Sequence, residues 1–349
     1  MMNIYGITRS DLENFLLLIG DKKFRATQIF EWVYEKKVSS FSEMSNIKKN
    51  IQDKLADMFS FEKIKIKKKQ EDKLTKKYLF ELEDGNYVEA VLMEHDYGLS
   101  ICVSSEVGCN MGCAFCESGR LKKVRDLKAH EMVQQILLVE EDIQKRISSV
   151  VIMGIGEPLD NYDNVMSFIK IINDAKGTAI GARHITLSTC GIIPKIRDLM
   201  AEELQINLAI SLHAPNTQLR NKLMPINKAY PLKNLIEVIK EYIEKTNRRV
   251  TIEYIMLKDI NDNETQAVEL AALLKGMMVY VNLIPYNETN HIEFKRASKD
   301  KVMKFYDTLK KKGINVTIRK EFGSNIDAAC GQLRSKEVWY ENILFNWFR

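Results

Sequence analysis

The chain has 349 residues, of which 45% are hydrophobic and 28% charged, a balance typical of an ordinary globular protein with room for more than one domain. The first residues lack the basic and apolar pattern of a secretory signal, and the apolar runs are too short for a membrane span, so we expect a cytoplasmic protein. The net charge of +5 suits an anionic partner, and the six cysteines, in a reducing compartment, argue against a disulfide scaffold and favour a metal site or redox catalysis.

The first ninety or so residues carry a helical pattern that changes into an alternating one. Residues 9–37 predict two short helices separated at Gly20-Asp21, and residues 42–59 predict a third helix. The stretches "KIKIK", "KKYLFELE" and "NYVEAVLME" then alternate with a period of two, which is typical of paired strands. We therefore expect a small helical module over residues 1–60, followed by a β-hairpin or meander over residues 61–97.

From residue 98 onward, apolar strands alternate with amphipathic helices. The predicted strands are 99–105, 148–154, 184–191, 206–214, 249–257 and 279–287, with a further strand indicated at 315–323. This alternation predicts a parallel sheet with crossover helices, and six units are too few for the usual eightfold barrel. We expect an α/β fold with a partial (β/α)6 barrel over residues 98–333 and a tail over residues 334–349.

Polar and sulfur-bearing residues follow several of these strands. The strands lead into a cysteine-rich loop and into "MGIGEPLDN", "STCG", "SLHA" and "PYN". Because ligands of parallel α/β sheets gather at the carboxyl ends of the strands, we expect one functional site on that face.

The stretch "VGCNMGCAFCESG" places Cys109, Cys113 and Cys116 in C-x3-C-x2-C spacing after the first barrel strand. A zinc ion would need a distant fourth ligand to complete its site. A cubane iron–sulfur cluster normally takes four thiolates, so three would leave one iron open. The spacing alone leaves both alternatives open.

The same spacing at the end of the first strand of a partial barrel resembles the radical S-adenosylmethionine (radical SAM) superfamily. "CVSSEVGCNMGCAFC", "MGIGEPLDNYDNV", "LSTCGIIPKI", "LAISLHAPNTQLRNKLMPIN", "VNLIPYN" and "RKEFGSNIDAACGQLR", in that order, resemble the RlmN/Cfr family of radical SAM RNA methyltransferases. "FRATQIFEWVY" resembles the helical extension of that family, which helps to bind RNA. Pro158 and the length of "FGSNIDAACGQL" favour the RlmN type over the Cfr type.

The resemblance implies a [4Fe–4S] cluster on Cys109, Cys113 and Cys116, with an open iron for SAM, and two SAM molecules per turnover. C2 of adenine has no lone pair, so an ordinary methyl displacement cannot reach it. In the family, one SAM methylates the residue that corresponds to Cys330. A 5′-deoxyadenosyl radical from the second SAM removes a hydrogen from that methyl group, and the carbon radical adds to C2. Cys102 then resolves the adduct through a transient disulfide with Cys330, and Glu89 accepts the C2 proton.

The resemblance also implies a set of SAM contacts at the strand ends. A carboxylate suits the SAM ammonium, glycine allows close approach, and Ser, His and Asn supply hydrogen bonds. The expected contacts are Gly156, Glu157, Ser188, Ser211, Leu212, His213 and Asn287. Taken alone, Cys102 is more typical of a packing cysteine and Glu89 of a solvent-facing carboxylate. His213 could instead be a core histidine, but its place at a strand end beside Ser211 favours contact with the ligand.

The implied substrate is an adenine of 23S rRNA near the peptidyl transferase centre, together with an anticodon-loop adenine of some tRNAs. The adenine must leave its stack, which favours single-stranded or loop RNA. Residues 62–77 hold eight lysines, which form either a solvated surface or, with Lys122, Lys123 and Arg125, contacts to RNA phosphates. We expect a monomer served by an electron donor such as flavodoxin or ferredoxin. The alternatives are a Cfr-type C8 methyltransferase and a zinc-stabilised RNA-binding protein without catalysis.

Overall fold

A computed structural model of the chain describes residues 1–289, 292–320 and 326. The α-helices within these ranges are α1 (Arg9–Leu18), α2 (Phe24–Phe30), α3 (Lys49–Met58), α4 (Ala129–Ile143), α5 (Tyr162–Asn173), α6 (Ile193–Leu199), α7 (Thr217–Leu223), α8 (Leu232–Thr246), α9 (Glu264–Leu273) and α10 (Lys299–Lys311). The strands are β1 (Met2–Asn3), β2 (Phe59–Ser60), β3 (Lys65–Asp72), β4 (Thr75–Glu81), β5 (Tyr87–His95), β6 (Gly98–Val103), β7 (Glu106–Val107), β8 (Arg125–Asp126), β9 (Ser149–Ile152), β10 (Ile185–Thr189), β11 (Asn207–Ser211), β12 (Val250–Met256), β13 (Val279–Pro285) and β14 (Val316–Ile318).

The main sheet has ten strands in the order β14-β13-β12-β11-β10-β9-β6-β5-β4-β3. Seven of these strands pair in parallel: β6, β9, β10, β11, β12, β13 and β14. Strands β3, β4, β5 and β6 pair antiparallel as a meander. Because β14 and β3 stand at opposite ends of this order, the sheet does not close on itself. The predicted partial barrel with a meander extension is confirmed, and β14 is the further strand that the sequence indicated.

The barrel strands alternate between two environments, as a period of two requires. In β10, Ile185 and Leu187 are fully buried in the hydrophobic core, whereas Thr186 and Ser188 line cavities. This alternation leaves a polar barrel interior behind the strand ends, which is where a polar cofactor can be held.

The N-terminal helices share one hydrophobic core with the barrel. Gln134 of α4 joins the two parts, because its side-chain oxygen accepts from the Ile64 N–H at 2.7 Å and its amide nitrogen donates to the Glu62 carbonyl at 2.9 Å. Arg9 of α1 also pairs with Asp174 beyond α5 at 2.7 Å. The meander likewise continues the barrel sheet, so the domain limits near residues 60, 97 and 333 stay a prediction.

The third predicted helix is wrong in its first seven residues. A separate 3-10 turn occupies Phe41–Glu43, because the Glu43 carboxylate accepts hydrogen bonds from the backbone N–H groups of Ser39 and Ser40. The helix itself begins only at Lys49. Among the helices that the structure describes, none is both long and apolar enough to cross a bilayer.

Candidate active site at the carboxyl ends of the parallel strands

A cavity of about 300 Å³ lies at the carboxyl ends of the parallel strands, beside the cysteine loop that follows β6. Of the ten residues predicted to hold the cluster or SAM, nine line this cavity: Cys109, Cys113, Cys116, Gly156, Glu157, Ser188, Ser211, His213 and Asn287. The tenth, Leu212, has its side chain fully buried in the hydrophobic core, and its backbone N–H donates to the Glu253 carbonyl at 3.1 Å. Motifs that are far apart in sequence therefore converge on one space.

The cysteine loop is held in a tight turn by backbone hydrogen bonds. The Cys109 N–H donates to the Leu121 carbonyl at 3.0 Å, and the Cys116 N–H donates to the Cys113 carbonyl at 3.1 Å. Gly108 has a φ of +85°, and a Cβ there would lie 2.1 Å from the Lys122 carbonyl oxygen. Only glycine allows this turn, which presents all three thiols to the cavity.

The three thiols lie in an environment that resists negative charge. Burial raises the pKa of Cys109 to about 12, and burial followed by the proximity of the other two thiols raises the pKa of Cys113. Thiolates formed here need a bound cation, and metal ions supply one. Within the described ranges, no three Cys, His, Asp or Glu side chains converge on the position of a single metal ion. Cys109, Cys113 and Cys116 all line the one cavity, which is the arrangement that a cluster bound by three thiolates needs.

The turn after β9 depends on a glycine and a buried carboxylate. Gly156 has a φ of +110°, and a Cβ there would lie 2.6 Å from the Cβ of Glu106. The next residue, Glu157, donates its backbone N–H to Glu106 Oε2 at 2.9 Å. Burial raises the pKa of Glu106 to about 7, opposed by its 2.6 Å ion pair with Lys123. Glu106 thus fixes the turn that presents Glu157 to the cavity, a role that sequence reasoning missed.

The Glu157 carboxylate is held by backbone amides on both oxygens. Oε1 accepts from the Leu159 N–H at 3.1 Å, and Oε2 accepts from the Cys190 N–H at 2.8 Å. Burial raises the pKa of Glu157, while these hydrogen bonds lower it. A carboxylate in this setting gains from a ligand cation such as an ammonium group.

His213 combines a satisfied ring nitrogen with a position on the cavity wall. Its Nδ1 accepts from the Ile255 N–H at 3.1 Å, so the proton of the neutral ring is on Nε2. Burial, with a smaller contribution from the charge of Arg220, lowers the pKa of His213 to about 3. The ring meets Phe115 of the cysteine loop edge to face, with 4.9 Å between centroids. His213 is therefore a neutral hydrogen-bond donor at ordinary pH.

Glu89 and Cys102 lie on adjacent strands outside the cavity lining. Glu89 is buried and its Oε2 lies 2.9 Å from Nζ of Lys77, which is fully buried, so Glu89 does not face solvent. Cys102 lies opposite Val91 in the pairing of β5 with β6. Burial raises the pKa of the Cys102 thiol. The charge of Arg319 and a hydrogen bond from the Met153 backbone oppose this effect by lowering the pKa.

Cys330 lies outside the described residues, and so does the tail over residues 334–349. The structure therefore gives no distance from Cys102 to Cys330, and the pairing of these two thiols stays a prediction.

Most of the basic residues predicted to contact RNA phosphates pair with carboxylates of their own chain. Lys123 lies within 2.7 Å of carboxylate oxygens of Glu106, Asp126 and Asp160, and Arg125 pairs with Glu131 at 2.7 Å. Pairs also hold Lys63, Lys67, Lys69, Lys76 and Lys77. Among the described residues, the exposed lysines of this group without an ion pair are Lys65, Lys68, Lys73 and Lys122. Contacts from any of these basic residues to RNA phosphates stay a prediction.

Two family models match the chain. The ribosomal RNA large subunit methyltransferase N-terminal domain matches residues 2–60, and the radical SAM superfamily matches residues 103–272. Among solved structures, a radical SAM methyltransferase from Sphaerobacter thermophilus is similar, with a TM-score of 0.88 and 38% sequence identity. The alignment covers 95% of this chain and 99% of that one. Fold and site thus define a radical SAM methyltransferase.

Curated relatives narrow this class. The probable dual-specificity RNA methyltransferase RlmN of Enterococcus faecalis is 56% identical, over 98% of each chain. That of Listeria monocytogenes is 54% identical, over 96% of this chain and 94% of the relative. The chain belongs to the RlmN family of radical SAM RNA methyltransferases. The family prediction from the sequence motifs is confirmed.

Proposed function

We propose that this chain methylates C2 of one adenine in 23S rRNA and C2 of an anticodon-loop adenine in some tRNAs. The observation that carries the proposal is the convergence of nine predicted residues, from five separate strand ends, on one cavity. The names of the relatives, which describe a dual-specificity RNA methyltransferase, support two kinds of RNA substrate.

The cavity residues divide into cluster ligands and SAM contacts. Cys109, Cys113 and Cys116 would hold a [4Fe–4S] cluster with one iron left for SAM. When bound, this cluster supplies the electron that cleaves SAM. Glu157 would receive the SAM ammonium, since burial leaves its carboxylate in need of a cation. The Nε2–H of His213 would donate to an acceptor of the cofactor.

Ser188, Ser211 and Asn287 would complete the hydrogen bonds to SAM. The hydroxyl oxygens of Ser188 and Ser211 lie 3.5 Å apart on neighbouring strands, a spacing that suits adjacent hydroxyl groups of a ribose. Asn287 is exposed at the edge of the cavity. For Leu212, the backbone is the part that could contact the cofactor, because its side chain lies in the core.

The methyl group would pass through Cys330, which accepts it from the first SAM as a thioether. Cys102 would resolve the protein–RNA adduct by forming a disulfide with Cys330. Glu89 would accept the C2 proton, and the ammonium of Lys77 orients its carboxylate. The burial of Glu89 supports this role, because a surface carboxylate in a meander would be open to water.

We propose C2 rather than C8 as the target because of Pro158. A proline at this position favours the RlmN type over the Cfr type, and Pro158 lines the cavity. The test is methylation of 23S rRNA by the anaerobically reconstituted chain, followed by mass mapping of the modified nucleoside. We expect 2-methyladenosine, and none with Cys113→Ala. An 8-methyladenosine product would overturn the proposed target. A cluster-free, zinc-containing protein without activity would overturn the proposed reaction.

A further inference from the structure

Arg220 is a fully buried cation that has no carboxylate partner among the residues that the structure describes. Its Nη2 donates to the Cys190 carbonyl at 2.6 Å, and its Nη1 lies 3.7 Å from the sulfur of Met224. Its Nε has no hydrogen-bond partner, and none of the carboxylates in the described ranges lies within ion-pairing distance of the guanidinium. Burying an unpaired charge is costly in free energy. A buried arginine without an anion therefore indicates that a bound group supplies the anion in the functional state of the protein.

The position of Arg220 points to the cysteine loop as the place of that anion. Arg220 is in α7, whose last residue, Leu223, accepts a hydrogen bond from the Ala114 N–H of the loop at 2.9 Å. Met224 and Cys190 pack with Cys113 in one small apolar cluster. The guanidinium therefore lies directly behind the cavity wall that carries Cys113 and Cys190.

The guanidinium is also linked to the expected SAM ammonium site through one residue. The Cys190 carbonyl accepts from Arg220, while the Cys190 N–H donates to Glu157 at 2.8 Å. Glu157 is thus an indirect neighbour and not an ion-pair partner. This bridge orients the guanidinium, but within the described part of the chain it supplies no direct counter-ion for the charge.

Arg220 keeps its charge at neutral pH. Burial lowers its pKa to about 10, opposed by its attraction to Cys190 and Cys113. The same charge lowers the pKa of Cys113, one of the proposed ligands, against the larger effect of burial. A cluster with three thiolate ligands carries a net negative charge, and gains one more negative charge on reduction.

We propose that Arg220 is a positioning residue for electron transfer, whose buried charge stabilises the reduced form of the cluster and raises its reduction potential. This inference rests on the proposed cluster at Cys109, Cys113 and Cys116. In the step concerned, one electron from a low-potential donor enters the cluster, no bond forms or breaks, and no proton moves. Arg220 remains protonated throughout, and its attraction to the cluster grows by one unit of charge.

The test is an EPR-monitored redox titration of the anaerobically reconstituted full chain, with dithionite as reductant and no RNA present. Arg220→Met removes the charge at similar volume, and Arg220→Lys keeps a cation. We expect the equilibrium constant for one-electron reduction to fall at least tenfold in Arg220→Met, which corresponds to a potential about 59 mV more negative. Arg220→Lys should retain most of the wild-type potential. Lys222→Met, an exposed charge on the same helix, is the matched control and should leave the potential unchanged.

Each other outcome also decides the matter. A wild-type potential in Arg220→Met, or equal shifts in Arg220→Met and Arg220→Lys, would overturn the proposal, because charge would then not be the cause. Cluster uptake by Arg220→Lys but not by Arg220→Met would support it, whereas failure of both variants would assign Arg220 a structural role only. A wild-type chain without a cluster signal would overturn the proposed cluster itself, and this inference with it.

Discussion

The cavity and the lysine-rich meander differ in what their polar side chains contact. In the cavity, three thiols, a buried carboxylate and a neutral histidine line one space and remain available to a ligand. In the meander of β3 to β5, most lysines pair with carboxylates of the same chain. A local motif that fixes its own backbone turn can therefore be recognised as a site from sequence, whereas a run of charge cannot be recognised as a binding surface until its partners are known.

The largest effect that tests this comparison concerns Glu89, the buried carboxylate that the meander contributes. If Glu89 accepts the C2 proton, Glu89→Gln should lower the rate of methylation by about 10²- to 10⁴-fold, with unchanged cluster content. The rate is measured with labelled SAM and 23S rRNA, and the cluster by its absorbance and iron content. Glu81→Gln, at a partly exposed carboxylate on the neighbouring strand, is the control. Turnover of Glu89→Gln at the wild-type rate would show that the meander supplies no catalytic group.

An intermediate effect separates the free lysines from the paired ones. The triple change Lys65→Gln, Lys68→Gln and Lys73→Gln should weaken RNA binding and lower the slope of log K against log salt by about 2, because each phosphate contact to single-stranded RNA accounts for about 0.7. The change Lys67→Gln, Lys69→Gln and Lys76→Gln removes the same charge from paired lysines and should alter the slope less. Fluorescence anisotropy with a ribosomal RNA hairpin at several salt concentrations measures both. Equal slopes in the two variants would mean that ion pairing does not decide which lysines meet RNA.

The smallest effect is expected where the helical module meets the barrel. His130 of α4 is buried against Gly6, and burial lowers its pKa to about 4. The folded state therefore resists a proton that the unfolded state takes up below about 6.5, so stability falls as the pH drops from 6.5 towards 4. His130→Gln should remove about 1.4 kcal/mol per pH unit of that fall.

This difference is measured by urea unfolding at a series of pH values. His184→Gln, at an exposed histidine, serves as the control and should leave the pH dependence as it is in the wild type. If His130→Gln gives the wild-type slope, the contact between module and barrel does not hold a neutral histidine.

The fold follows from sequence largely because its signals are local. Each parallel strand is a short apolar run, and each lies within a few residues of its predicted bounds. The start of α3 was not predictable in the same way, since the Glu43 side chain caps the start of a separate turn. Helix-forming residues on both sides of such a turn look like one helix.

The site residues were predictable where all the residues that act together lie in one motif. They were not predictable where a residue's role depends on contacts with residues far away along the chain. The cysteine loop and the Gly156-Glu157 turn carry their own signals. Glu106 and Arg220 gave none, because their meaning comes from burial against residues 30 or more positions away, as in the bond from Glu157 to Glu106 and that from Arg220 to Cys190.

The most direct test of the central claim, that this cavity holds SAM at a cluster on three cysteines, is electron–nuclear double resonance on the reduced, reconstituted chain. SAM labelled with ¹⁵N at its amino group is added to the protein before freezing. If the cavity holds SAM in this way, we expect a ¹⁵N coupling to the cluster signal, and loss of the cluster signal itself in Cys113→Ala. A strong cluster signal with no ¹⁵N coupling, or an intact cluster in Cys113→Ala, would contradict it.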